Sequence, residues 1–281
     1  MFEEFYRLRD NPFRMTPGGQ DSFRSRSYSQ GLAYLRPALD RGAGVVMLYG
    51  APGTGKTTLI RDLVRGCDGT VLELVTASLG AEELIELTAS AMALEPDPVD
   101  PARTLHRVQR WLLIQGKKRQ RVRLVLDEAH NLRPDALELV SWLVGGRRGG
   151  AFPIQLLLVG QEPLRELLEG PAGRDLRTAL AADHRMQPLA RTETARYCWH
   201  RLGACGWNRD PVITDEAMDL IYRYSRGVPR RINLIAGRLL LYGALEELHE
   251  LDAAAARAVL QELDEESLLP APLAGDAAAA P

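Results

Sequence analysis

Val45-Val46-Met47-Leu48-Tyr49 runs directly into Gly50-Ala51-Pro52-Gly53-Thr54-Gly55-Lys56-Thr57. The first five residues are wholly apolar, as expected of a short strand buried on both faces. The next eight match the pattern G-x-x-x-x-G-K-[ST], and Thr57 to Val64 reads as a helix. The chemistry needs those residue types in that order. Glycines let the backbone curl so that successive N–H groups point into one concavity, and the helix that follows adds its positive end. Lys56 has the reach to meet β- and γ-phosphate oxygens, and the Thr57 hydroxyl suits Mg²⁺. Gly50, Ala51, Pro52, Gly53, Thr54, Gly55, Lys56, Thr57 and Thr58 are therefore the candidate phosphate-binding residues.

A triphosphate site of this kind requires a second apolar strand that ends in an acid. Arg123-Leu124-Val125-Leu126-Asp127-Glu128 supplies it further along the chain. Asp127 is the candidate for the Mg²⁺ shell, and Glu128 the candidate to orient and polarise the attacking water. The pair points to hydrolysis of ATP rather than binding alone. Asp127-Glu128-Ala129-His130 also spells DEAH, a helicase signature. A helicase of that type needs a second α/β nucleotide domain, and the remaining residues read as helices. That class is excluded, and His130 reads as a local structural or signalling contact.

Working outward, further strands are expected at Val71 to Val75, Leu124 to Leu126 and Ile154 to Val159. With the strand before the phosphate loop they make four. Helices are expected at 81–94, 102–115 and 134–144, the last with proline in its first turn, where no hydrogen-bonded N–H is lost. Pro96, Pro98 and Pro101 form a stiff connector between the first two. Strands alternating with helices predict an α/β fold with a parallel sheet and helices on both faces. Beyond Pro188 the pattern changes to helices alone, near 192–205, 214–225, 229–243 and 252–266. Thr214 followed by Asp215 and Glu216 is a good helix start.

The 281 residues are 46% hydrophobic and 26% charged, ordinary for a globular chain able to bury a sizeable core. The net charge of −2 argues against a histone-like nucleic-acid binder, but it is unevenly spread. Residues 246–281 carry nine acidic residues and one basic one, Arg257, which leaves +6 on residues 1–245. Cys67, Cys198 and Cys205 are too few and too scattered for a disulfide framework or a zinc knuckle, and read as free thiols in a reducing compartment. The N-terminus lacks a signal-peptide pattern, and no apolar run is long enough to span a membrane. A cytoplasmic protein is expected, with any membrane association peripheral, at the inner face and through partners.

Several further segments resemble one family. They are Phe5-Tyr6-x-Leu8, Asn11-Pro12-Phe13-x-x-Thr16-Pro17, Leu157 to Leu164 (LLVGQEPL), and Gly227-Val228-Pro229-Arg230-Arg231-Ile232-Asn233. Over residues 1 to about 262 the chain resembles the AAA+ ATPases of the ExeA/GspA (general secretion pathway protein A) type, including the short MshM-like pilus-biogenesis ATPases. The resemblance implies a P-loop AAA+ core at 41–189, preceded by an N-terminal segment and first helix at 1–40. A helical lid at 190–266 and a disordered tail at 267–281 complete the expected organisation. It implies that Gln161 contacts the γ-phosphate or attacking water, that Arg230 reaches the phosphates from the lid, and that Asn11, Pro12 and Phe13 lie near the adenine. It also implies a nucleotide-dependent homo-oligomer, ring or filament, and partner proteins of an envelope machine such as a pilus, type II secretion or exopolysaccharide apparatus.

The chain departs from the family pattern in three places. Thr178-Ala179-Leu180 stands where a Q-R-[IV]-like stretch is usual, so Arg174, Arg177 and Arg185 are all candidates for the arginine acting on a neighbouring subunit's γ-phosphate. Ala190 replaces a serine helix cap, with Thr192 the expected substitute. The longer family members append a membrane span and a peptidoglycan-binding domain, and the resemblance here is to the short ones. Five of the seven residues from Lys117 to Arg123 are basic, and Arg147 and Arg148 follow. A solvated loop is the plain reading. Contact with DNA phosphates is the competing one, supported by a distant resemblance to the TniB and IstB transposition ATPases. A nucleotide-gated scaffold is the third, and Glu128 argues against it.

Overall fold

The computed structural model describes residues 2–14, 22–42, 44–76, 78–145 and 154–268. By contacts the chain divides into two compact units, Tyr28–Met186 and Met1–Ser27 with Gln187–Pro281. The first is an α/β unit. Its five strands are β1 (Val45–Gly50), β2 (Thr70–Val75), β3 (Val122–Asp127), β4 (Ile154–Gly160) and β5 (Leu180–Met186). They pair in the order β2-β3-β4-β1-β5, every pair parallel.

Alternation along the strands explains why both faces must be covered. Val45, Met47, Tyr49, Leu124, Leu126, Leu156 and Leu158 pack into one core. Their sequence neighbours Val46, Leu48, Val125, Leu157 and Val159 pack into a second one. Successive strand side chains point to opposite faces, so a run with no polar residue is stable only between two apolar layers. The first core is completed by Leu84, Leu112, Leu137 and Val140. These lie on the helices Ala81–Ala91, Pro101–Lys117 and Pro134–Gly145. The second is completed by Leu35 and Leu39 of Arg26–Arg41 and by Leu59 and Leu63 of Lys56–Val64.

The strand count corrects the sequence reading, which missed β5. Leu180-Ala181-Ala182-Asp183-His184-Arg185-Met186 carries no apolar run, because β5 is an edge strand on which only Ala182 and Met186 are buried. Its partner β1 gives it a register that its own composition does not announce.

The second unit is mainly helical, with Arg191–Ala204, Asp215–Ser225, Pro229–Leu245 and Ala253–Glu265 around one core that also takes in Phe2, Tyr6, Leu8 and Phe13. It is not helical throughout. Two-residue strands β6 (Val212–Ile213) and β7 (Glu250–Leu251) pair in parallel, too short to leave a periodic signal. The Thr214 hydroxyl accepts a bond from the Ala217 N–H at 3.3 Å, as a capping residue should. At Ala190 the cap comes from Glu193, not Thr192. Its carboxylate accepts the N–H of Ala190 at 3.0 Å and that of Arg26 at 2.7 Å.

All three cysteines are free; Cys198 is fully buried, and burial pushes its thiol up to about 12. No helix among the described residues is long and apolar enough to cross a membrane. Thr16, Pro17, Arg147, Arg148 and the expected tail beyond Leu268 lie outside the described residues.

Candidate nucleotide site

In an all-parallel sheet the loops at the carboxyl ends of adjacent strands open on one side. Three such ends meet here. β1 lies beside β4 with Tyr49 opposite Gly160, and β4 lies beside β3 with Leu158 opposite Leu126. The residues that follow are Gly50 to Thr57 after β1, Asp127 to His130 at the end of β3 and Gln161 after β4. Separated in sequence, they become neighbours.

The glycine loop adopts the shape that its composition requires. Gly50 has φ +145°, and a Cβ there would stand 2.5 Å from the Met186 carbonyl oxygen. Gly55, at φ 97°, turns the chain into the helix Lys56–Val64 as its N-cap. The Thr54 hydroxyl donates to the Ala51 carbonyl at 2.8 Å, closing the loop on itself. Lys56 is 6% exposed. Its Nζ donates to the carbonyls of Gly50 and Ala51, both at 3.0 Å. Burial pushes its ammonium below the usual lysine range, partly opposed by the carboxylates of Glu128, Asp127 and Glu162. A triphosphate arriving here would add negative charge where the cation lacks solvation.

The Thr57 hydroxyl donates to Asp127 Oδ2 at 2.9 Å, joining the two elements of the motif. The other carboxylate oxygen of Asp127 accepts the Glu128 N–H at 2.9 Å. Thr76, just past β2, anchors the same residue. Its N–H and hydroxyl both donate to the Asp127 carbonyl, at 2.8 and 2.9 Å. Sequence reasoning missed Thr76, because only the pairing of β2 with β3 brings it there.

Glu128 is held at φ 58°, a left-handed conformation that costs an ordinary residue about 1–2 kcal/mol. The cost is accepted at the point where the chain leaves β3 and enters the short turn Ala129–Asn131. The Gln161 amide Nε2 donates to Glu128 Oε2 at 3.4 Å. The structure thus brings together Lys56, Thr57, Asp127, Glu128 and Gln161.

Arg185 on β5 donates to Glu162 at 2.8 Å within its own chain. Arg174 and Arg177 lie on the short helix Arg174–Thr178, just before β5. Arg230 stands in the first turn of Pro229–Leu245, in the helical unit. In that same unit Asn11 Oδ1 accepts the Phe13 N–H at 2.9 Å, an Asx turn across Pro12. The Phe13 ring is buried in the helical core.

The basic stretch is divided by its structure. The Arg121 guanidinium donates to the Asp40 carbonyl at 2.7 Å. Arg123, 2% exposed on β3, donates to the Asp68 carbonyl. Lys118 and Arg119 stay exposed.

Residues 39–168 match the family model of the AAA domain. The chain thus carries an AAA domain over those residues. It is 29% identical over 254 residues to general secretion pathway protein A of Aeromonas hydrophila, an alignment covering 89% of this chain and 46% of that protein. It is 28% identical over 227 residues to the Holliday junction branch migration complex subunit RuvB of Synechococcus sp. (strain WH7803), covering 69% of this chain and 60% of that one. The chain thus spans 46% and 60% of the lengths of these two relatives. Among solved structures, Cdc6p from Pyrobaculum aerophilum superposes with a TM-score of 0.73 at 19% identity, over 91% of this chain and 71% of that one. At that identity the likeness speaks to fold. The five-stranded parallel sheet with a helical region after it is the arrangement of this AAA+ structure, and the AAA domain implies nucleotide binding.

Proposed function

We propose that this AAA domain protein hydrolyses ATP to ADP and phosphate, and that turnover drives or regulates assembly of an envelope machine. The observation that carries the hydrolytic reading is the convergence of Lys56, Thr57, Asp127, Glu128 and Gln161 at three adjacent strand ends. The backbone N–H groups of the Gly50–Thr58 loop receive the phosphates, and Lys56 neutralises the β- and γ-oxygens. Glu128 accepts a proton from water as its oxygen attacks the γ-phosphorus. The bond to the β,γ-bridging oxygen breaks, and ADP takes that electron pair as it leaves. Gln161 orients the same water or the γ-phosphate.

Mg²⁺ fits the donors present. The Thr57 hydroxyl and the Asp127 carboxylate are hard oxygens already in contact, and they would hold the ion. Among the described residues no group of three His, Cys, Asp or Glu could hold a metal alone, so its remaining ligands would be phosphate oxygens and water. When bound, the ion would screen charge on the phosphates.

The similarity to general secretion pathway protein A supports secretion or another envelope process as the setting, with a pilus or exopolysaccharide apparatus in the same class. By the same resemblance, Arg230 meets the triphosphate, Asn11, Pro12 and Phe13 serve the adenine, and the protein works as a homo-oligomer. Arg174 and Arg177 are the better candidates for the arginine offered to a neighbouring subunit, because Arg185 is already engaged with Glu162.

The similarity to RuvB favours a second reading, a DNA-dependent AAA+ ATPase. ATP turnover measured with and without duplex DNA at two salt concentrations separates them. Turnover indifferent to DNA supports the envelope reading. Strong, salt-sensitive stimulation supports the DNA reading.

A further inference from the structure

His130 lies between the two polar groups proposed to handle the attacking water. Its Nδ1 is 3.3 Å from the backbone nitrogen of Gln161 and 3.6 Å from Glu128 Oε2. The first contact is a hydrogen bond in which the Gln161 N–H donates. Nδ1 therefore presents its lone pair there, and the ring proton of the neutral imidazole sits on Nε2. An Nδ1 used in this way has no hydrogen for Glu128, so the 3.6 Å contact is a proximity and not a second bond. What holds the Glu128 carboxylate is the Gln161 side chain, whose Nε2 donates to the same Oε2 at 3.4 Å.

The surroundings keep the ring in place. The His130 side chain is only 11% exposed. It rests against the end of β4, where a Cβ on Gly160 would stand 3.2 Å from the His130 nitrogen and 3.3 Å from Nδ1. The 3₁₀ turn Ala129–Asn131, entered through the left-handed Glu128, sets the histidine two residues past the glutamate and facing β4.

We propose that His130 is a positioning residue: by accepting the Gln161 N–H it fixes the chain at the end of β4, so that the Gln161 amide stays on the Glu128 carboxylate. The proposal rests on the ATPase reading above. Its content is separate, because it concerns how Glu128 and Gln161 are held and not whether they act. The link runs through one hydrogen bond, so its loss would slow the chemical step while leaving the phosphate loop, and with it ATP affinity, as it was.

Two substitutions separate this role from packing. His130→Asn keeps an acceptor, Oδ1, near the place of Nδ1 but loses ring volume. His130→Leu keeps the volume and loses the acceptor. The expected result is a kcat about tenfold lower for His130→Leu, corresponding to the loss of one buried hydrogen bond. Its dissociation constant for ATP should stay within about twofold, and His130→Asn should recover kcat to within about threefold of the parent protein, well inside the span of that bond. In a Gln161→Ala background the His130→Leu change should add little, since the group through which it works is gone.

The proposal is overturned if His130→Leu retains full kcat. It is overturned equally if His130→Asn is as slow as His130→Leu, or if the two losses multiply in the double variant. Glu128→Gln in the same series is the control on the underlying reading. If Glu128→Gln abolishes turnover while His130→Leu does not affect it, only the positioning role fails. If Glu128→Gln itself turns over normally, the ATPase assignment fails.

Discussion

Two parts of the α/β unit are rich in positive charge or depend on it, and they use it in opposite ways. From Lys117 to Arg123 there are five basic residues, the densest such run in the chain. The phosphate loop has one, Lys56. Yet Arg121 and Arg123 in the dense run are engaged with the carbonyls of Asp40 and Asp68, and Arg123 is buried in the strand. They tie β3 to its surroundings. Lys56 is also buried, but it lies among loop carbonyls and three carboxylates, at the place where three strand ends converge. Charge density along a sequence is thus a poor guide to a binding face. What separates the two is the company the fold gives each cation, loop carbonyls and carboxylates for Lys56 and the carbonyls of Asp40 and Asp68 for Arg121 and Arg123.

The comparison can be broken in several ways. Lys56→Ala should weaken ATP binding about a hundredfold, the scale of losing charge-assisted bonds to phosphate. A fluorescent-nucleotide titration showing near-normal affinity would remove Lys56 from its role. Arg123→Ala should instead lower unfolding free energy by about 2–3 kcal/mol, through a lost bond and a cavity, and leave ATP affinity of the folded protein unchanged. Urea melts check the first half and titration the second.

The depressed ammonium of Lys56 makes a prediction of sign. A lysine with a folded-state pKa below its unfolded value makes the unfolded chain bind more protons between the two. Its charged form costs stability at lower pH, and that cost is relieved as pH rises from the depressed value toward 10.5. The stability of the parent protein relative to Lys56→Met should therefore climb with pH across that window. A flat or falling difference would show that Lys56 is not desolvated. Smallest of all, Lys118→Ala with Arg119→Ala should change stability by less than about 0.5 kcal/mol and leave turnover untouched, as expected of solvated surface cations. A large loss of DNA-stimulated turnover in that variant would instead identify the basic run as a binding face.

How much of this was legible in advance follows from the kind of signal each feature leaves. β1, β3 and β4 announce themselves because strands buried on both faces are largely apolar, and β2, at the opposite edge of the sheet from β5, shows itself by its buried Leu72 and Leu74. β5 hides because an edge strand with two buried side chains can carry Asp183, His184 and Arg185. Lys56, Thr57, Asp127 and Glu128 stand in motifs whose spacing is local, and they were readable. Thr76 and the link from His130 to Gln161 were not. Each depends on which strand lies beside which, and strand order is written in no single segment. Phe13 carries two readings that are compatible: the resemblance puts it near the adenine, and the structure gives its ring a place in the helical core.

The most direct test of the central claim is Glu128→Gln, followed by ATP affinity and ATP turnover on the same preparation. The substitution keeps the shape and removes the proton acceptor. The account predicts affinity within about threefold of the parent and turnover reduced at least about a hundredfold, the lower range of general-base contributions. Turnover unchanged from the parent would contradict it.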